Sequence, residues 1–211
     1  MAQIVLIRPG CTEFDEQQRI QGNLDLPLSA GGRQQVERLL ADLAQVEIDV
    51  LFSSPCEPAR STADALGAAR GLAVKEIEGL HNVDHGLWQG LKVEDVRRKH
   101  PKVFKQWQES PEAICPPGGE SLAEAVARVR KALEKPLKKK GNLAIVAADP
   151  LAAIICAVVR GLPLESIPAV CQGACGSWQF LVENQTKTPS EEFALTDFVP
   201  ATSSQPAAVK N

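Results

Sequence analysis

The chain has no tyrosine, and aromatic residues make up only 4% of its 211 positions. Its core must therefore be aliphatic, and a platform for stacking bases or sugars is excluded. Histidine is scarce as well: three copies, His81, His85 and His100, all within one short stretch. Basic residues are not in excess, since 23 Lys and Arg stand against 26 Asp and Glu, for a formal net charge of -3. That balance argues against nucleic acid and against an anionic membrane surface as partners. No apolar run reaches bilayer-spanning length; the longest, 151–159, is the length of a core helix. The apolar run near the start is too short for a leader's hydrophobic region and has no cationic residue before it, so a cytoplasmic location is expected.

Six cysteines occur, at 11, 56, 115, 156, 171 and 175, with no Cys-x-x-Cys pair. Wide spacing in a chain of this size reads as reduced thiols, with no disulfide at Cys11, Cys56 or Cys156. Cys171 and Cys175 are the one pair whose glycine-rich surroundings leave a bridge open. They have no histidine nearby, so no metal site and no cofactor are expected.

What is present suits a globular domain: 44% hydrophobic and 23% charged residues. At about 150 residues per domain as a loose prior, one domain over 1–199 is expected. Residues 80–117 then form an insertion on it, and 200–211 a polar disordered tail. Continuous apolar runs at 3–8, 49–53, 72–77 and 143–147 read as strands, with further strands at 177–182 and 193–198. Helical spacing of apolar residues places helices at 33–46, 55–70, 120–138 and 150–160, with shorter ones at 92–100 and 101–109. Ser29 or a nearby glycine is the N-cap of the first. Residues 9–30 show no clear period. Buried strands alternating with amphipathic helices predict an α/β fold of three layers, a mainly parallel sheet flanked by helices. Such folds place their site at the carboxyl ends of strands. Two strands end conspicuously, in Arg8-Pro9-Gly10 and in Ala148-Asp149-Pro150.

Six segments taken in order carry a resemblance: IVLIRPG, RIQGNLDLPLSAGGRQQ, LFSSPCEPARSTADAL, GLWQG, PPGGESLAEAVARV and LAIVAADPLAAIICAVV. Together they resemble the histidine phosphatase superfamily, in its phosphoglycerate mutase-like branch. The resemblance implies a nucleophilic histidine at the end of the first strand, where this chain has Pro9. It implies a second histidine at Ala148, beside Asp149. It also implies a phosphate-clamping arginine at Pro58, an acidic glutamate at Asn82 and a phosphate-contacting asparagine at Asp15. Arg8 is the one matching member of the pocket. Arg60, two residues past Pro58, falls on another side of its helix. Cys11 follows the first motif, yet the Cys-x5-Arg spacing of a thiol phosphatase fails at Gln17. Arg19, Gln21 and Asp25 match a shaped turn, Glu120 is expected to favour a helix dipole, and Trp88 is expected in the core.

A proline has no side-chain lone pair to attack phosphorus. The implied pocket has also lost most of its cationic charge. No catalytic residue is therefore assigned, and Arg8, Pro9, Cys11, Asp15, Pro58, Asn82, Ala148 and Asp149 form a remnant pocket. The expected function is that of a pseudoenzyme, binding a protein or a small molecule that the sequence does not name. The alternative is a phosphoglycerate mutase-like phosphatase that acts on a phosphate ester through non-standard residues.

Overall fold

Alternation along the strands sets the layers. In β1 (Ile4–Ile7), Val5 and Ile7 face one side while Leu6 faces the other. In β4 (Leu143–Val146), Ala144 and Val146 join the first face, and Leu143 and Ile145 the second. A period of two does this in any strand, and an apolar residue at every position demands cover on both sides. The computed structural model describes residues 3–110, 115–167 and 173–183.

The cover comes from helices. On one face pack α2 (Ala30–Asp42) and α3 (Ala59–Arg70), through Leu39, Ala63 and Leu66. On the other pack α6 (Leu122–Leu133) and α7 (Leu151–Arg160), through Val126, Val129, Ile154 and Ile155. With β2 (Val50–Ser53), β3 (Val74–Glu76) and β5 (Trp178–Val182), the sheet order is β3-β2-β4-β1-β5. The first four strands are parallel, and Ile4 to Ile7 pair with Leu143 to Val146 in continuous register. β5 runs antiparallel to β1, with a register shift between Ile4 and Val5. The predicted three-layer α/β fold with a mainly parallel sheet is the fold observed.

Element boundaries move where side chains capture backbone groups. Ser29 caps α2 by accepting from Gly32 N at 2.9 Å, so the helix begins at Ala30, ahead of the expected start at 33. α3 begins only at Ala59, because the Glu57 amide donates to Asp25 Oδ1 at 2.7 Å and holds 55–57 in a turn. α6 opens on a capping box in which Ser121 and Glu124 satisfy each other's amides, and it stops before Pro136. One helix was not expected at all. α1 (Glu13–Glu16) has no buried residue and exists through a Thr12–Asp15 capping box.

After a 3-10 turn at Glu78–Leu80, residues 80–117 add a second 3-10 turn at Gly86–Trp88, α4 (Val93–Lys99) and α5 (Pro101–Glu109). Their Trp88, Val96 and Phe104 form a small separate core with Ile20, which places Trp88 where it was expected. The expected strand at 193–198 and tail at 200–211 lie outside the described residues, as does Cys171. Among the described residues no helix is long and apolar enough to cross a membrane.

Candidate functional site

Because β1 and β4 are parallel neighbours, their carboxyl ends deliver Arg8 and Asp149 side by side. Arg8 is 3% exposed, and its Nε donates to Asp149 Oδ2 at 2.8 Å. The Asp149 carboxylate, 38% exposed, faces the cleft. Desolvation pushes its pKa above the ordinary range, while Arg8 and the Ala153 amide pull it back. Backbone bonds fix the strand end: Arg8 N donates to Ser177 O at 2.8 Å, and Pro9 O accepts from Gly176 N at 2.7 Å. Pro9 is buried, and Ala148, half-buried, has only a methyl side chain.

Asn82 is fully engaged. Its Oδ1 accepts from Val83 N at 2.9 Å and from Leu151 N at 3.2 Å, and its Nδ2 donates to Asp149 O at 3.1 Å. Pro150 precedes α7 and supplies no side-chain cap, so this buried amide caps the helix from 69 residues away in sequence.

The loop after β1 is held by backbone contact. A Cβ on Gly32 would lie 2.0 Å from Cys11 O, and one on Gly10 would lie 2.2 Å from Gly32 O. Only glycine permits this approach. Cys11 N donates to Gln35 Oε1 at 2.8 Å, and Asp15 Oδ2 accepts from Thr12 N and Thr12 Oγ1 at 2.7 and 2.8 Å. Cys11, Asp15 and Cys175 bring two thiols and a carboxylate together, their ligand atoms all within 4.8 Å of one another. Burial and a hydrogen bond with Cys11 push the Cys175 thiol far above its ordinary pKa. Cys11, Cys56, Cys115, Cys156 and Cys175 are free thiols. Pro58 is buried at the start of α3, and Arg60 turns to Glu57 at 3.2 Å.

A cavity of about 810 Å³ opens beside these strand ends. Of the eight predicted residues, Asp15 and Asp149 line it; Arg8 and Asn82 stand behind Asp149, and Cys11 flanks Asp15. Pro9, Pro58 and Ala148 are not among its lining residues. Sequence reasoning passed over Trp107 and Phe104 on the far wall and read the adjoining His85 as an exposed or hydrogen-bonded loop residue. His85 is 7% exposed, its ring meets Trp107 edge-on at 5.8 Å, and its Nδ1 has no hydrogen-bond partner among the described residues. Burial lowers its pKa, against the opposing pull of Asp84 and Glu120. The available signal was the aromatic spacing of Phe104 and Trp107 on one helix face. Glu120, directly ahead of the α6 N-cap, also pairs with Arg128 and accepts from Asp84 N at 3.1 Å.

Strand order, the Arg8 strand end and the cleft above it define the class. The chain belongs to the histidine phosphatase superfamily (branch 1), whose sequence profile matches residues 4–191. Among curated relatives, phosphoserine phosphatase 1 of Hydrogenobacter thermophilus is 35% identical over 162 residues, covering 75% of this chain and 77% of that protein. Glucosyl-3-phosphoglycerate phosphatase of Mycobacterium tuberculosis is 29% identical over 185 residues, covering 83% and 82%. A solved structure of the mycobacterial glucosyl-3-phosphoglycerate phosphatase in complex with VO3 superposes with a TM-score of 0.79 at 28% identity, covering 85% of this chain and 92% of that one.

Proposed function

We propose that this chain is a catalytically degenerate histidine phosphatase-like protein that acts by binding and does not transfer phosphoryl groups. Pro9 carries the reading. Its buried ring stands at the end of β1, where the family resemblance calls for the nucleophilic histidine, and it offers no lone pair. Three further observations support it. Arg8, the pocket cation that the resemblance retains, is already bonded to Asp149. Asn82, at the position implied for the acid, is occupied in capping α7. Pro58 and Ala148 have no charge to offer a phosphate. Phosphoryl transfer depends on a positioned nucleophile and on stabilising the equatorial oxygens, and this set of residues supplies neither.

The cavity supports a binding role. Trp107, Phe104, Val83 and Ile154 give it apolar walls, with Asp15 and Asp149 as anchoring groups. A small organic molecule or a protein segment is the occupant we propose, within one domain over 1–199. The free thiols fit a reducing, cytoplasmic setting. The other reading, a phosphatase working through non-standard residues, is favoured by the relatives' names and by His85 in the cavity wall.

Phosphate release from p-nitrophenyl phosphate, phosphoserine and 3-phosphoglycerate separates the two readings, with wild type measured beside Arg8→Ala. Both proteins are expected to stay at buffer background, since losing a nucleophile alone lowers turnover on the order of a millionfold. Millimolar phosphate is expected to leave the melting temperature unchanged. Wild-type turnover that disappears in Arg8→Ala would overturn the proposal.

A further inference from the structure

The loop after β1 and the turn before β5 lie more than 150 residues apart in sequence, yet they meet at three side chains with metal-ligating atoms. We propose that Cys11, Asp15 and Cys175 form a binding site for one thiophilic divalent cation of the zinc class. The inference shares Asp15 with the proposed binding cavity but does not depend on turnover, since its readout is metal binding.

The geometry is the first support. The two Sγ atoms and an Asp15 carboxylate oxygen all lie within 4.8 Å of one another. A tetrahedral zinc with Zn–S bonds of about 2.3 Å sets its two sulfurs about 3.8 Å apart. From a spacing of up to 4.8 Å, the cluster has to contract by about 1 Å to hold such an ion. Three protein donors are also the number that leaves a coordination position open to an outside ligand.

The anchoring is the second support. Gln35 serves both segments: its Oε1 accepts from Cys11 N at 2.8 Å, and its Cβ lies 2.7 Å from the place a Cβ on Gly176 would take. Gly176, at φ +68, turns the chain directly after Cys175, and its amide bonds to Pro9 O at 2.7 Å. On the other side, both Thr12 bonds fall on Asp15 Oδ2, which orients the carboxylate and leaves Oδ1 outside the cap. The three donors are thus set on backbone that is already tied together, which lowers the ordering cost of binding.

Donor chemistry selects the ion. Two thiolates and one carboxylate favour zinc-class metals, whereas magnesium and calcium take oxygen ligands. On binding, the cation gains two sulfur bonds and one oxygen bond, and the two thiols release two protons to buffer.

The test uses the full chain with its thiols kept reduced by a phosphine. Zinc is titrated against a chromogenic chelator, and cobalt(II) is added separately to read thiolate-to-metal charge transfer in the near ultraviolet. One equivalent of zinc and a charge-transfer band in the wild type are the expected results. Cys11→Ser and Cys175→Ser should each weaken binding by at least about a hundredfold, the upper end for losing a mere outer-shell partner. Asp15→Asn should weaken it less, and Cys56→Ser should leave it unchanged. Circular dichroism checks that the variants fold; the wild-type cobalt spectrum stays decisive if one does not. No stoichiometric binding, a cobalt complex without thiolate bands, or binding lost on Cys171→Ser but retained on Cys11→Ser would each overturn the site.

Discussion

The two walls of the cleft are built on opposite terms. At the ends of β1 and β4, Arg8, Asp15 and Asn82 each hydrogen-bond to other protein groups over short distances. Across the cavity, the 83–107 wall is held by apolar burial and aromatic edges, and its one buried imidazole keeps a nitrogen with no partner among the described residues. The first wall is fixed by glycine packing and by side-chain caps on backbone amides.

The comparison breaks most severely at the glycine contact. Gly32→Ala drives a Cβ into the Cys11 carbonyl, a backbone atom that has nowhere to go. We expect a loss of about 3 kcal/mol, the upper end for overpacking. Urea denaturation reads it, and a loss under about 1 kcal/mol would show that the loop adapts. Next comes Asn82→Ala, which strips the buried amides of Val83 and Leu151 of their acceptor. About 2 kcal/mol should be lost, as for buried donors left unpaired. Hydrogen exchange should quicken at the start of α7, and uniform exchange would argue against a local cap.

His85→Phe tests the other wall. Burial lowers the folded pKa of His85 below its ordinary value of 6.5. Its contribution to stability is therefore present above that value and is lost as pH falls through the lower folded pKa. The wild type should lose stability between pH 7 and pH 5, and the variant should lose less. The variant should also gain about 1 kcal/mol from removal of an unpaired buried nitrogen. Equal pH slopes in the two proteins would mean that the imidazole is not held neutral. The smallest expected effect is a null one: Pro9→His alone should leave phosphate release at background, because residues of one catalytic set act as a unit. Any turnover above background would show that Arg8 and its surroundings still stabilise the transferring group.

Legibility followed the range of the interaction. The strands were readable because Ile4–Ile7 and Leu143–Val146 are apolar at every position, and only a sheet buried on both faces needs that. α1 went unseen because no apolar period marks it and its stability comes from a Thr12–Asp15 cap. The late start of α3 was hidden because the residue responsible, Asp25, lies 32 positions earlier than its partner Glu57. The Glu120 ion pair was hidden for a similar reason: its partner Arg128 lies eight positions further along the chain.

Sequence alone determined the alternation of strands and helices, the three-layer α/β class and the family. It also determined that proline and alanine stand at the two strand ends, and each of these follows from residue type and local spacing. Tertiary structure decided the rest. It paired Arg8 with Asp149, turned Asn82 into a helix cap, buried His85 against Trp107 and brought Cys175 to Cys11. Those contacts join segments far apart along the chain, and no local periodicity encodes them. They exist because packing the sheet against its helices leaves each polar group only a few partners within reach, and burial makes an unpaired group costly.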